Sequence, residues 1–499
     1  LKNYETEEAW RYHNGTKHPN GFLMDMLHRH RPASRPYPYK RYKDCPKVAL
    51  LPDKSPGKVS ALDAISCRKC NTEDIVPDMA LLSKLLYFSG GITRSIAFPP
   101  PLGRVEFRAA SCTGALYHIE MYVVCSGLAG LEDGVYHYDP RDDTLDVLRT
   151  GNYLGVLDEA TAHGPATSRF PAAIIYTDIF SRNSVKYQAR EYRHAFWDCG
   201  TILSNSLAVA CAHDIPHRLI MGFDDSAVNG LVGVDGKKEA SIAMLALGST
   251  QSAPPAPPPL GRTPGSEQAE YAMVSEAILE MHESSSLQSH EVAGWRRQYL
   301  PDGQEPSGPT SMGKEQASAE SIESVILRRG STRRFAHEPI SLGQMSAVLG
   351  RSTCGFDADY GSGTISDVYV IANAVEGLES GSYFYGKNSH TLEELQKGDL
   401  RDASGHLGLD QSLPYDASAT VFFLTDLGKL LALYGNRGYR VAQIDASVAA
   451  GRMYLAAYAL GIGATGLTFY DDDVTAFFEP HSRGKSVMFM LALGKKSKA

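Results

Sequence analysis

"YVVCSGLAGLEDGVYHYDPRDDTL" (Tyr122 to Leu145) recurs, substituted but in step, as "YVIANAVEGLESGSYFYGKNSHTL" (Tyr369 to Leu392), an offset of 369 − 122 = 247 residues. The same offset superposes "YRHAFWDCG" from Tyr192 on "YRVAQIDAS" from Tyr439 and pairs Asp198 with Asp445. One residue slips later, where "MLALG" at Met244 meets "MLALG" at Met490. A self-match at fixed offset marks an internal repeat. The chain therefore reads as two copies of one domain, at 76–249 and 321–499.

Each copy alternates strand and helix. "EMYVVCSG", "GVYHYDP", "AAIIYTDI" and "VFFLTDL" have strand composition, and long helices are predicted from Tyr192 and Tyr439. The class is α+β, a mixed sheet flanked by helices. Between the copies, "STQSAPPAPPPLGRTPGSEQ" (Ser249 to Gln268) reads as an extended, semi-rigid spacer; an SH3-type ligand is the other reading of its prolines. A connecting helix is expected in "AEYAMVSEAILEMHE", so 250–320 is linker. Residues 1–75 are an N-terminal extension whose "EEAWRYHNGTKHPNGF" looks helical and then loop-like. Two covalently joined copies suggest a homodimeric ancestor whose two-fold site was fused.

"LGIGATGLTFYDDD" (Leu460 to Asp473) spaces Gly461, Gly463 and Gly466 as a dinucleotide-binding G-x-G-x-x-G. That motif requires strand, glycine turn and helix in that order. Here a helical stretch (Tyr439 to Leu460) comes first and "LTFY" reads as the strand, so the glycines belong to a helix C-terminus. The 499 residues, 43% apolar and 21% charged, describe an ordinary globular protein, and a net charge of −8 offers no footprint for nucleic acid or an anionic membrane. No apolar stretch reads as a membrane span, and no basic-then-apolar leader opens the chain. Cys67 and Cys70 form a lone CxxC without a second pair, read as cytoplasmic free thiols and not as a metal site.

Three segments carry chemistry. "RRGSTRRFAHEPIS" opens the second copy with Arg329, Ser331, Arg333 and Phe335; two guanidiniums and a hydroxyl within five residues suit a phosphate, and the bland reading is a solvated basic turn. "RAASCTGALYHIEMYVV" enters the first copy through small residues that permit close backbone approach to a flat ligand, or merely make a tight turn. "VKYQAREYRH" places Lys186 beside Tyr187, where the second copy has Leu433 and Tyr434.

Together the R-x-S-x-R-x-F turn, the R-A-A-x-x-x-G-A-L-Y segment, the Lys-Tyr pair and the late G-A-T-G-L-T resemble the FMN-dependent nitroreductase superfamily. Within it the chain looks like the SagB-type branch, which includes azoline oxidases of ribosomal peptides; "RYHNGTKH" also looks like that branch's leader region. The resemblance implies FMN held between two subunits, here two fused copies forming an internal pseudo-dimer in place of a homodimer. It assigns Arg329, Ser331 and Arg333 to phosphate, ribityl and pyrimidine edge, with Gln411 reaching the same edge. Gly466, Leu467 and Thr468 match the backbone against the flavin ring, Ser111, Cys112 and Gly114 the partner's share, and Lys186 with Tyr187 the catalytic pair. Because the mirror-related site lacks these groups, one FMN per chain is expected. Many relatives have P-S-A-G-A-L-Y-P where this chain has Ser111 and His118 in place of two prolines. The expected activity is flavin-dependent removal of two electrons from a small-molecule or peptide substrate, a thiazoline or oxazoline being the implied class. An NAD(P)H-dependent nitro or quinone reductase is the alternative, and a non-catalytic partner in a peptide-modifying complex the third.

Overall fold

The computed structural model describes residues 2–19, 36–67, 74–99, 103–164, 169–267, 273–297, 306–362 and 364–497. Helix α1 (Glu7–Gly15) precedes the first sheet. Its strands are β1 (Ile119–Cys125), β2 (Gly134–Asp139), β3 (Thr144–Thr150) and β4 (Ala172–Ile179); α2 (Phe180–Tyr187) and α3 (Glu191–Ala212) follow, then β5 (His217–Ile220) and β6 (Glu239–Leu247). Helix α4 (Glu276–Ser284) leads into the second set: β7 (Asp367–Ala372), β8 (Gly381–Gly386), β9 (Thr391–Lys397), β10 (Ala419–Thr425), α5 (Leu427–Tyr434), α6 (Arg437–Ala459), β11 (Gly463–Leu467) and β12 (Ser486–Gly494).

The two sheets repeat one order. The first runs β5-β6-β4-β1-β2-β3 and the second β11-β12-β10-β7-β8-β9. Neighbours within each six are antiparallel. The first sheet becomes mixed where Asp357–Ala358 of the second half lies parallel to β5, Ala358 opposite Leu219. Strands β1, β4 and β6 are buried along their whole length because helices cover both faces, α3 on one and the short helices Leu154–Ala160 and Asp225–Val232 on the other.

Helices α3 and α6 pack against each other at the centre, buried along nearly their full length. A Cβ on Gly200 would lie 1.8 Å from Ser447 Oγ, and one on Gly451 2.3 Å from Ser204 Oγ. Both pairs differ by 247, so each residue touches its own counterpart. Contact between equivalents places a two-fold pseudo-axis between these helices, as in an isologous interface. Glycine on one side of each pair makes room for the serine on the other.

The symmetric relation reaches outside 76–249 and 321–499. At the C-terminal end of α1, Arg193 donates to Thr16 Oγ1 and to the His13 carbonyl; at the C-terminal end of α4, Arg440 donates to Ser285 Oγ and to the His282 carbonyl. Ser60 and Ser321, each capping a short helix, bridge one another. The expected extension and connecting helix thus make equivalent contacts. The prolines after Gly248 run extended along the first half, where Pro255 O lies 2.3 Å from a Cβ built on Gly155.

One local expectation is corrected. Strand β11 is "GATGL", and "LTFY" beyond Leu467 leaves the sheet before a helix at Asp471–Phe477. Gly461, with φ of 76°, caps α6, whereas Gly463 and Gly466 lie in the strand because neighbours fill their Cβ positions: Thr332 Oγ1 at 2.2 Å and Phe489 Cζ at 3.1 Å.

Candidate active site

The pseudo-axis relates two clefts, and they differ. In the first, the loop after Arg108 turns through Gly114 (φ 62°), Ala115 (φ 52°) and Tyr117 (φ 51°). Left-handed backbone at non-glycine residues persists when surroundings over-determine it. Asp198 on α3 does so here: it accepts from Thr113 N, Thr113 Oγ1 and Cys112 Sγ at 2.8–3.0 Å. Thr201 Oγ1 holds the Ser111 carbonyl at 2.8 Å. A Cβ on Gly114 would stand 2.9 Å from Tyr187 Oη and 3.4 Å from Lys186 Nζ, so this glycine lets the loop meet the Lys-Tyr pair at the end of α2. Lys186 Nζ lies 4.9 Å from the Tyr187 ring centre, and the Tyr187 ring stands edge-on to His194. Burial pushes the Tyr187 hydroxyl up, Asp198 and Cys112 add to that, and His118 and Arg333 oppose it.

The second half closes this cleft. Arg329 donates through Nε and Nη2 to the Ala109 carbonyl at 3.0 and 2.9 Å, tying the two halves together. Burial lowers its pKa and neighbouring tyrosines oppose that. Ser331 Oγ is 3.5 Å from Tyr454 Oη, which also takes the Gly466 N–H. Thr332 N bonds the Ala464 carbonyl, so the arginine turn runs along β11. Arg333 is exposed and electrostatically coupled to Tyr187. The Lys496 ammonium lies 3.7 Å over the Tyr458 ring. Leu467 packs beside Phe335, and the Thr468 hydroxyl is buried with no hydrogen-bond partner. The Gln411 amide bonds the Gly408 carbonyl in its own turn, two residues before Leu413, which packs against the same cluster as Leu467. A small cleft lined by Ser89, Gly90, Arg108, Ser111, Cys112 and Asp198 opens beside the loop.

The other cleft is filled from within. Asp359, the counterpart of Cys112, accepts from Met221 N at 2.9 Å and Gly222 N at 2.8 Å. Its own N–H bonds Leu219 O, Leu219 being the counterpart of Gly466. Trp295 sits where a Gly222 Cβ would be, at 2.6 Å, and donates to the Tyr434 carbonyl. Tyr434 Oη, the counterpart of the Tyr187 hydroxyl, donates to the carbonyls of Tyr360 and Arg297.

Sequence reading missed Tyr454, Asp198 as holder of the loop, and the N-terminal wall. Arg190 and Arg193 bind Asp471 and the backbone at Thr16 or His13, with Arg190 lying over Trp197 and Phe469. The repeat of Arg190 and Arg193 as Arg437 and Arg440 was an available signal. For the CxxC, Cys70 lies outside the described residues; Cys67 is in no disulfide and stands within hydrogen-bonding reach of Cys211. Among described residues no helix is long and apolar enough to cross a membrane.

Comparison with known proteins bears on this geometry. Residues 326–495, in the second half, match the model of the nitroreductase family. A solved structure from Anabaena variabilis, provisionally described as a nitroreductase, superposes over 98% of this chain and 99% of its own, at 26% identity and a TM-score of 0.78. MJ1384 of Methanocaldococcus jannaschii, provisionally named a nitroreductase, is 24% identical over 31% of this chain and 81% of its own. The trifolitoxin-processing protein TfxB of Rhizobium leguminosarum bv. trifolii is 30% identical over 28% of this chain and 39% of its own.

Proposed function

We propose that the chain is an FMN-dependent oxidoreductase that removes two electrons from a thiazoline- or oxazoline-bearing peptide or related intermediate. We propose further that it is an internal pseudo-dimer of two copies holding one FMN. The observation that carries this is the asymmetry of the clefts: one gathers Gly114, Lys186, Tyr187, Arg329, Ser331 and Arg333, and the other is filled by Trp295, Asp359 and Tyr360. The residues of the first cleft fit a flat, phosphate-bearing group. Gly114 and Gly466 let the loop and β11 come close to Tyr187 and Phe489, the Thr468 hydroxyl is buried without a hydrogen-bond partner, and Arg329, Arg333 and Lys496 supply positive charge around Ser331. Ser111 and Cys112 border the same space.

Bound there, FMN would supply a two-electron acceptor. Lys186 with Tyr187 takes the proton released as the substrate C–H is broken, since both face the loop at Gly114. Arg333 offers a cation to a ring that gains negative charge. Arg329 fixes the turn by holding the first half's backbone, and Leu467 carries β11 against Phe335. The likeness to TfxB supports a peptide substrate, and the described cysteines, none of them in a disulfide, accord with a reducing, cytoplasmic compartment. Nitro or quinone reduction by NAD(P)H is the second reading, favoured by the likeness to MJ1384.

The test is a synthetic peptide carrying one thiazoline, incubated aerobically with the full chain and FMN. Loss of two hydrogen atoms by mass, abolished in Lys186→Ala, is expected. No such loss, together with rapid NADPH-dependent reduction of a nitroaromatic, would transfer the assignment to the second reading.

A further inference from the structure

Beneath the Cys112 to Gly114 loop, the first half buries a knot of ionisable side chains. His118 Nδ1 lies 2.6 Å from Asp178 and 3.5 Å from Glu191, and its Nε2 2.8 Å from Asp198. Asp198 Oδ2, the oxygen that meets His118, also receives the Cys112 thiol at 3.0 Å. Tyr117 N donates to the same sulfur at 3.1 Å. His118 is thus two contacts from the loop that abuts Tyr187. One Asp178 oxygen and both Glu191 oxygens are buried without a hydrogen bond.

The second half is the internal control. At the positions 247 residues on it has Ile365, Thr425 and Gly438 for His118, Asp178 and Glu191, while Asp445 stands for Asp198. There Asp445 accepts from Ile365 N and Ser366 N, and Thr425 shares a neutral hydrogen bond with Ser366. The Lys387 ammonium donates to the Thr364 and Ser366 carbonyls of the same loop, so that half holds it with one carboxylate and one lysine and without a histidine. Burying further ionisable groups costs several kcal/mol before pairing, and the chain does it in the half that carries Lys186.

We propose that His118, locked among Asp178, Glu191 and Asp198, is a positioning residue that sets the charge presented to Cys112 and Tyr187, and through it the proton affinity at the Lys186–Tyr187 pair. This rests on the reading of that pair as the proton-transfer groups. The groups facing the knot are Asp178 from β4, Glu191, His194, Asp198 and Cys199 from α3, Cys112 from the loop and Tyr187 from α2. Arg333 of the second half acts on Tyr187. Burial opposes a charge on His118, but the carboxylates outweigh it and hold the imidazole protonated well above its ordinary range. Burial and Asp198 push the Cys112 thiol up, and His118 pulls it down. Cation and carboxylate therefore act on Cys112 with opposite signs, which a purely steric role would not produce.

The experiment compares His118→Gln, Asp198→Asn and the double variant in the full chain as purified. Cys112 alkylation by iodoacetamide is followed against pH by mass spectrometry of its peptide. Removing the cation should slow alkylation at fixed pH about tenfold, and removing the anion should speed it about tenfold, as for a pKa change of about one unit. The double variant should return near the parent. Should His118→Gln fold poorly, nitrogen NMR of labelled histidine in the unmodified chain decides: His118 must remain protonated above the range in which an ordinary histidine loses its proton. A Cys112 profile unmoved by His118→Gln, or a His118 that loses its proton in the ordinary histidine range, would overturn the inference. Split profiles in a chain that binds no FMN and oxidises no thiazoline would uphold it and sink the enzymatic reading alone.

Discussion

Replacing Gly114 by alanine isolates what the loop does for Tyr187. A left-handed φ of 62° at alanine costs about 1–2 kcal/mol whatever its surroundings. The new Cβ would also stand 2.9 Å from Tyr187 Oη, so the phenol must move by about 0.5 Å to reach ordinary contact. It has little room, because its ring is braced on His194 at 4.5 Å. A displacement of that size at a proton-transfer group costs about ten- to a hundredfold in turnover. Gly127 is the control: its φ is 73°, and nothing lies within 4 Å of its Cβ position. Both variants should lose similar stability in urea titrations. In thiazoline oxidation Gly127→Ala should match the parent, and Gly114→Ala should fall at least tenfold. Equal turnover in the two variants would refute the placement of Tyr187 against this loop.

Other outcomes follow from the same geometry. Gly200→Ala drives a methyl into Ser447 at the pseudo-axis and should cost at least about 3 kcal/mol, with Ser447→Gly restoring most of it in a double-mutant cycle. Trp295→Ala empties the filled cleft and should cost about 3–5 kcal/mol in denaturant titration without adding a second flavin, since among the described residues no arginine turn serves that side. Burial holds Asp445 up to about 6 against about 3.9 in an unfolded chain. Between those values the folded state binds more protons, so stability falls as pH rises through the window, by about 2–3 kcal/mol. Asp445→Asn should flatten that slope when denaturant midpoints at pH about 4 and about 7 are compared.

The repeat was legible because strand residues such as Tyr122 and Tyr369 occupy the same interior positions, and the two sheets share one strand order. The convergence of Gly114, Lys186 and Tyr187 with the arginine turn was legible as a set of motifs. The symmetry of α1 with α4 was hidden, since those helices share little beyond a histidine and a hydroxyl three residues later, His13 with Thr16 and His282 with Ser285. Their role is to offer a carbonyl and a hydroxyl to Arg193 and Arg440, which side-chain periodicity does not report. The filling of the second cleft was equally hidden. Trp295 lies in a linker and Asp359 in a loop, and only tertiary packing brings both onto Gly222.

The most direct test is the flavin content of the purified chain, read by absorbance after release from the protein. The account predicts about one FMN per chain in the parent and in Lys186→Ala, and a large loss in Arg333→Ala, which removes one cation near Tyr187. Two FMN per chain would contradict the single open cleft, and none in the presence of excess FMN would contradict the flavin assignment itself.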